Sequence, residues 1–448
     1  MTYSGGRRVS RGVGFGRGMS RRRFLGLSSG AVASATILGA GCGSGGGSGG
    51  SGGATRLTFS LFPDPTGTVQ ELIDRFNTEH EGEIEVTLRE MAADSGQHFD
   101  TLRTELQSGQ SEIDVIGGDV VWPAQFAAAG WISDLSDRFP ASEQSDFLEA
   151  PITANTYEGS IYGVPWYTDA GLLYYRQDLL EDAGISEPPA TYADLKEIAQ
   201  EISQSNDLPQ GFVFQGADYE GGVVNGLEFI WNSGGDVLSG NEVVIGSPEA
   251  VSGLETERSM ITDGLSPRGV SQYKEQESAT IFLRGESVFM RNVPRMYALA
   301  SDPNESRIDP EQIGVAVLPV AETGIQSTSS TGGWNMFINS ATEDQDAAWE
   351  FISFMTAAEQ QKFRALEGSV LPTRAALYED DEIRAGLTIA RLGEEAIRSS
   401  RPRPISPYYS DMSLAMADAF ASSLNGDAPP QQVLSDLSSE LQNIVDQS

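Results

Sequence analysis

Cysteine and histidine are nearly absent from this chain of 448 residues. It contains one cysteine, Cys42, and two histidines, His80 and His98. A structural zinc site takes about four Cys or His ligands, and a disulfide takes two cysteines. These counts exclude a zinc cluster, a disulfide framework and a Cys/His catalytic pair, and we expect neither a metal nor a cofactor.

Positive charge is also scarce. The chain has 29 Lys and Arg residues against 64 Asp and Glu residues, which gives a formal net charge of -35. Nucleic-acid partners are excluded, because binding to phosphates depends on Lys and Arg. Only three lysines occur in the whole chain, and the carboxylates are spread along it rather than gathered in blocks. Such dispersed acidity, with arginine in place of lysine, is typical of a surface that works in very high salt, so we infer an exported protein of an extreme halophile.

The first 53 residues differ from the rest, because they contain seven arginines and no acidic residue. Residues 20–25, SRRRFL, resemble a twin-arginine export signature that includes Arg21 and Arg22. The stretch 25–41 that follows is rich in Gly, Ala and Ser. A transmembrane helix is the alternative, but it needs about 20 predominantly apolar residues. The pattern therefore favours an export signal peptide.

Cys42 stands at the end of this apolar stretch. The preceding residues LGAG resemble a lipobox, although Gly39 occupies the place where the pattern usually has Leu. We predict a signal peptide at residues 1–41, a lipid on Cys42 and a flexible Gly/Ser tether at residues 42–54. An incidental free thiol is the alternative. The prediction places the protein at the extracytoplasmic face of the cell membrane.

The remaining chain alternates between strand and helix patterns. Apolar residues repeat at every second position over 57–61 and 84–88, and a helical face lies between them from Thr68, with Glu71 as its capping-box partner. Further helices are predicted after Thr191, an N-cap with Asp194 three residues on, near 249–263, near 343–363 and over the last 45 residues. This order predicts an α/β fold whose parallel or mixed sheets are covered by helices on both faces.

Aromatic residues and carboxylates are the candidate binding residues. Residues 157–175 bring Trp166, Tyr167 and Asp169 together beside a Gly-x-Pro break. A sugar ring stacks its C–H face on an aromatic ring, and its hydroxyls need carboxylate, amide or guanidinium partners. The alternative is that the two rings belong to the core and that Asp169 caps an element.

Other candidates fit the same chemistry. They are Asp119 and Trp122 in GGDVVW, Gly333 and Trp334 in TGGWNM, Arg403 in RPRPISPYY and, with weaker support, Asp64 and the pair Tyr219–Glu220. Asp119 could instead cap the helix that begins at Trp122, and Arg403 could pair with a surface carboxylate. No catalytic constellation stands out among these residues.

Several long segments resemble one known family. GVPWYTDAGLLYYRQDLLEDAG, followed by PPATYADL, resembles the central signature of extracellular solute-binding proteins of family 1, the sugar receptors of ABC importers. GGDVVWPAQFAAAGWISDL, TGGWNM and RPRPISPYY resemble further motifs of that family. GFVFQGADYEGGVVNGLEFIWNSGGDVL resembles trehalose/maltose-binding proteins in particular.

The resemblance implies a two-lobe periplasmic-binding-protein-like fold (type II), in which each lobe is discontinuous in sequence and a hinge joins the lobes. The implied first lobe is 55–158 with about 328–372, and the second is about 164–322 with 376–448. The ligand would lie in the cleft between them. Asp119 and Trp334 would come from the first lobe, and Tyr167, Asp169 and Arg403 from the second.

The function implied by the resemblance is binding of a mono- or disaccharide and its delivery to the permease of an ABC importer, by a monomer that performs no chemistry. In FMRNVPRMY, Val293 and Arg295 stand where trehalose/maltose binders tend to have aromatic residues. This departure leaves room for a monosaccharide or a different linkage. A secreted glycoside hydrolase, which needs one suitably spaced carboxyl pair, and an adhesive surface protein are the alternatives.

Overall fold

The computed structural model describes residues 53–446, except for residues 65, 110, 111, 241 and 388. The predicted export signal with Arg21 and Arg22, the predicted lipidation site Cys42 and the tether up to residue 52 lie outside the described residues. Among the helices of the described part, none combines the length and the apolar character that crossing a bilayer requires.

Strands and helices alternate along most of the described chain. The elements up to residue 169 are β1 (Thr55–Leu61), α1 (Thr68–Glu79), β2 (Ile84–Glu90), α2 (Ser95–Ser108), β3 (Val115–Asp119), α3 (Pro123–Ala128), α4 (Ala141–Gln144), α5 (Glu149–Ala154), β4 (Thr156–Tyr157), β5 (Ser160–Ile161) and β6 (Val164–Asp169). The next are β7 (Leu172–Arg176), α6 (Gln177–Asp182), α7 (Tyr192–Ser205), β8 (Gln210–Val213), α8 (Glu220–Trp231), β9 (Leu238–Ser239), β10 (Glu242–Val243), α9 (Pro248–Thr262), α10 (Glu275–Leu283), β11 (Ser287–Asn292), α11 (Met296–Leu299) and β12 (Ile313–Ala316). The last are β13 (Gly332–Ile338), α12 (Gln345–Met355), α13 (Ala358–Gly368), β14 (Leu371–Pro372), α14 (Asp381–Gly386), α15 (Ala390–Arg398), α16 (Tyr409–Asn425) and α17 (Pro430–Val445).

The first sheet has six strands in the order β14, β6, β13, β3, β1, β2. β1 pairs in parallel with β2 and β3, as the predicted βαβ unit requires, whereas β13 is antiparallel to both β3 and β6. Buried aromatic rings hold the covering helices: the Phe59 ring lies 5.9 Å from Trp166 and 5.4 Å from Phe351, and Phe76 lies 5.1 Å from Phe351. Edge-on ring pairs of this kind add to the burial of apolar area.

The second sheet has four strands in the order β12, β7, β11, β8. β11 is parallel to β8 and antiparallel to β7. Helices α16 and α17, at the end of the chain, share an apolar core with α8 and α9. Gly226 on α8 allows the close approach of α16, since a Cβ there would lie 2.3 Å from the Phe420 ring. The C-terminal helices therefore pack against α8 and α9.

The chain crosses between the two sheets through the short link 170–171 and again through residues 317–331. Both crossings contact one buried ion pair. In this pair, Arg291 donates to the two carboxylate oxygens of Glu228 at 2.7 and 2.6 Å. The backbone N–H of Ser330 donates to Glu228 at 3.0 Å. In the first crossing, a Cβ at Gly171 would lie 2.4 Å from the Glu228 carboxylate. The sequence thus requires a glycine where the first crossing passes over the ion pair.

Two predicted helix starts have different outcomes. The capping box at Thr191 is confirmed, because its hydroxyl accepts from the Asp194 N–H while the Asp194 side chain accepts from the Thr191 N–H. The prediction of a capping box at Thr68 is wrong. Gly67 is the N-cap, and the carboxylate of Asp64 accepts from the Val69 N–H at 2.9 Å. The predicted helix 343–363 is two helices, α12 and α13.

One predicted lobe boundary differs from the arrangement of the sheets. The second lobe was predicted to begin at about residue 164, but Val164–Asp169 form β6, which pairs with β13 and β14 in the first sheet. The crossing therefore comes after Asp169 rather than before Val164. The lobe ranges as a whole stay a prediction.

Candidate ligand-binding cleft

A cleft of about 600 Å³ lies between the two sheets. Its walls come from the ends of β3, β6 and β13 on one side and from α8, α10 and β11 on the other. This volume falls in the range of roughly 300 to 1,000 Å³ that is usual for small-molecule sites. The predicted site residues that line it are Asp119, Tyr167, Asp169, Gly333, Trp334 and Arg403, together with the more weakly supported pair Tyr219 and Glu220.

Strand register brings most of these residues together. Trp334 on β13 is paired with Asp119 on β3 and with Tyr167 on β6, and Gly332 is paired with Asp169. Gly333 has a φ of 117°, and a Cβ there would lie 2.3 Å from the Tyr167 carbonyl oxygen. Only glycine fits this position. The antiparallel insertion of β13 thus assembles residues that lie far apart in the sequence.

Aromatic neighbours support the Trp334 ring. The Phe62 ring lies 4.5 Å away at an interplanar angle of 62°, and Trp122 and His98 each lie 5.4 Å away. His98 is fully buried and neither ring nitrogen has a hydrogen-bond partner among the described residues. Burial lowers the pKa of His98 to about 4, so this ring is neutral near pH 7.

Asp169 carries a carboxyl group with an altered pKa. Burial raises its pKa to about 6, and the guanidinium groups of Arg295 and Arg291 oppose this rise. Among the described residues, no group donates a hydrogen bond to its carboxylate. The lone pairs of Asp169 are therefore open to hydroxyl donors that enter the cleft.

Arg403 connects the two sides of the cleft. Its Nη2 lies 3.3 Å from Asp119 Oδ1, and its Nη1 donates to Glu220 on α8. Glu220 also accepts from the Tyr409 hydroxyl at 2.6 Å and from Ser413. Burial lowers the pKa of Arg403, but the Glu220 and Asp119 carboxylates outweigh it and raise the pKa. The Arg403 guanidinium is thus a permanently charged group held between the two sides of the cleft.

Comparison with known proteins identifies the family. Residues 62–362 match the family model described as bacterial extracellular solute-binding protein. The chain belongs to this family. A curated relative from Deinococcus radiodurans, named as a probable ABC transporter-binding protein, is 32% identical over 80% of this chain and 86% of its own.

Solved structures resemble this solute-binding protein as well. Maltose-bound MalE3 of T. maritima is 34% identical, with a TM-score of 0.81, and the match covers 87% of this chain and all of that one. Among curated sequences, a protein of Pseudomonas aeruginosa named as mannitol-binding is 23% identical over 67% of this chain and 70% of its own. The expected type of fold, two α/β lobes joined by a hinge, is confirmed.

Three predicted site residues of this solute-binding protein do not line the cleft. The Asp64 carboxylate accepts from the Val69 N–H in the first turn of α1 and from the Thr66 hydroxyl at 2.7 Å. Trp166 is 1% exposed in the first-sheet core, where Arg364 stacks on its ring at 4.0 Å. Trp122 lies behind Trp334 and lines a second, neighbouring cavity. The contacts of Asp64 and Trp166 are structural, because these two side chains face the protein rather than the cleft.

Two further placements differ from expectation. Tyr167 and Asp169 were expected on the second lobe, but they lie on β6 of the first sheet. The cleft is also lined by Asp94, Lys274 and Glu275, which the sequence did not predict. Their only local signal was a position at a helix start or after a strand, and that is common to many surface residues.

Proposed function

We propose that this solute-binding protein binds a mono- or disaccharide in the cleft. The observation that carries the proposal is the grouping of the Trp334 ring with the carboxylates of Asp119 and Asp169 in one walled space. An indole face stacks on the apolar side of a pyranose, and carboxylates accept from its hydroxyls. The maltose-bound relative and the relative named for mannitol lend support.

The second side of the cleft supplies different groups. Val293 and Arg295 line it, and both stand where trehalose/maltose binders tend to have aromatic residues. Tyr219 lines the same side. A sugar on this side would contact the Tyr219 ring and the Arg295 guanidinium. This set favours a ligand that stacks on few aromatic side chains and has many hydroxyls.

The proposed cycle involves no covalent chemistry. The lobes close on the sugar by motion about crossings 170–171 and 317–331, and the closed protein passes it to the permease of an ABC importer. The relatives reported above are named as binding proteins, which supports a receptor over a glycoside hydrolase. A monomer suffices for this cycle.

The test is a calorimetric screen of mono- and disaccharides in molar salt, with thin-layer analysis of each mixture afterwards. We expect one sugar class to bind and to be recovered unchanged. Binding of no sugar would contradict the proposal, and recovery of cleaved sugar would favour the hydrolase.

The proposed location is the extracytoplasmic face of the membrane, reached by twin-arginine export that reads Arg21 and Arg22. A lipid on Cys42 would supply the anchor. If so, the Cys42→Ser protein should leave the membrane fraction and appear in the medium, because none of the helices in the described residues could span a membrane. Thr2→Ser is the control for the handling of a leader variant. Unchanged membrane association of the Cys42→Ser protein would contradict the anchor.

A further inference from the structure

A second cavity of about 410 Å³ adjoins the cleft. It lies between the same two sides of the molecule, and its lining includes Phe99, Trp122 and Gln125 from one side and Asp218 and Tyr409 from the other. These are again aromatic rings beside amide, carboxylate and hydroxyl groups. Such a set suits a further sugar unit for the same reasons as the cleft itself.

The two cavities share one wall. Asp94, Ser95, Tyr219, Glu220 and Lys274 line both the cleft and the second cavity. We call these five residues the partition. Asp94 and Ser95 stand at the start of α2 beside the first sheet, and the others stand at the starts of α8 and α10 beside the second sheet.

One ion pair joins the two sides of the partition. Lys274 Nζ lies 3.1 Å from Asp94 Oδ2, and the same ammonium lies 4.7 Å from the centre of the Tyr219 ring. The ion pair therefore reaches from one side of the cleft to the other, and the cation contacts an aromatic face. A saccharide that extends from the cleft toward the second cavity meets this pair.

Both partners of the pair are fixed by their helices. Asp94 is the N-cap of α2, where its Oδ1 accepts from the Gln97 N–H at 3.1 Å. Burial raises the pKa of Asp94, but the Gln97 hydrogen bond and Lys274 outweigh it and hold the pKa below the usual value. The backbone of Lys274 donates to Glu277 at 3.0 Å. The charges thus face each other from anchored positions.

The pair is nevertheless accessible to solvent. The Lys274 and Asp94 side chains are 48% and 33% exposed. Ion pairs of such exposure contribute little to stability. Either charge can therefore be removed without unfolding the lobes, and this makes the partition testable by substitution.

We propose that the Asp94–Lys274 pair is the end wall of the sugar cleft and limits the length of the bound saccharide. This inference rests on the proposed function. With the wall in place, the ligand is confined to the cleft around Trp334. Without it, the cleft and the second cavity join, and an additional sugar unit lies against Trp122 and Tyr409.

The test compares Asp94→Asn and Lys274→Met with the unmodified protein by calorimetry. Asparagine keeps the helix cap, and methionine keeps the length of the side chain. The ligands are a series from one to four units of the sugar that binds in the screen. Lys196→Met is the matched control, because Lys196 forms an exposed pair with Asp263 at 2.9 Å.

We expect the ratio of affinities, longer over shorter saccharide, to rise at least about tenfold in both test variants and to stay unchanged in the control. Short sugars that still bind with an unchanged ratio in both variants would overturn the wall and leave the proposed function standing. Binding of no mono- or disaccharide in the preceding screen, by the unmodified protein or the control, would overturn the proposed function and the wall with it.

Discussion

The Trp334 ring is held in place by its neighbours rather than by its own backbone alone. Phe62 and Trp122 meet it edge-on, and neutral His98 lies behind it. Three aromatic contacts leave the ring little rotational freedom. A ring that is already fixed loses little conformational entropy when a ligand stacks on it.

Replacing Trp334 with alanine should weaken sugar binding by about 1–3 kcal/mol, because a buried aromatic anchor is lost. Titration calorimetry measures the loss, and a thermal melt in the same salt reports folding. Trp349→Ala on α12 is the control, since its ring packs on the first-sheet core near Phe139. It should lower the melting temperature but leave the affinity alone. Normal sugar binding by Trp334→Ala would remove this residue from the site.

The raised pKa of Asp169 predicts a pH dependence of binding. With a pKa of about 6, the carboxyl group is ionised at pH 7 and increasingly protonated below pH 6. A protonated group is a poorer acceptor for sugar hydroxyls, so the dissociation constant should rise below pH 6, by up to about tenfold per pH unit. Calorimetry at pH 5, 6 and 7 gives the profile. Asp169→Asn should bind more weakly, with a flatter profile, and equal slopes for the two proteins would rule out this assignment.

Six of the nine main predicted site residues line the cleft, and each of the six stands in a recognisable motif. The sequence did not decide whether Trp166 faces the core or the cleft, since alternation along β6 shows that neighbours point to opposite faces but not which face is the cleft. The role of Asp64 depends on a loop that brings its carboxylate to the Val69 N–H. Lys274 and Asp94 lay in no motif at all. The ion pair between them depends on the distance between the starts of α2 and α10, which the sequence alone does not reveal.

Among the helices, α9 contains an unusual carboxyl group. Glu257 is fully buried, and neither of its oxygens has a hydrogen-bond partner among the described residues. Burial raises its pKa to about 8, because an ionised carboxylate is costly in an apolar environment. The helix therefore packs best when this side chain keeps its proton.

The stability of the protein should consequently fall with pH through this group. Below its usual pKa of 4.5, the carboxyl is neutral in both the folded and the unfolded chain. Between that value and about 8, the unfolded chain releases the proton while the folded chain keeps it, so the free energy of unfolding decreases as pH rises. Glu257→Gln should show a smaller decrease in melting temperature between pH 5 and 8. Glu255→Gln, an exposed position of the same helix, should follow the unmodified protein, and a Glu257→Gln curve parallel to both would contradict the assignment.

At the scale of elements, local signals predicted helices well and connections less well. The box at Thr191 depends on residues three apart, so the sequence contains the whole motif. The start of α1 depends instead on a loop that folds Asp64 back onto Val69. The place of β6 in the first sheet depends on pairing with β13, which comes much later in the chain. Pairing between strands that lie far apart in the sequence leaves no local periodicity from which the pairing could be predicted.

For the whole molecule, charge is the dominant feature. A formal charge of -35 on 448 residues produces strong self-repulsion in dilute buffer. Exposed pairs such as Arg75–Glu71 oppose it, but each contributes only about 0–1 kcal/mol. Salt shortens the screening length from about 30 Å at 0.01 M to about 3 Å at 1 M. The balance between charge repulsion and the burial of apolar surface therefore depends on the salt concentration.

We expect the protein to lose helical circular dichroism and cooperative melting as potassium chloride is lowered from molar to millimolar concentration. Screening, rather than exclusion of solute from the surface, is the proposed cause. Trimethylamine N-oxide at equal osmolality is the control, since it stabilises folded chains without screening charge. It should restore less structure than the salt does. Full structure and an unchanged melting temperature in dilute buffer would contradict the inference that this surface is adapted to very high salt.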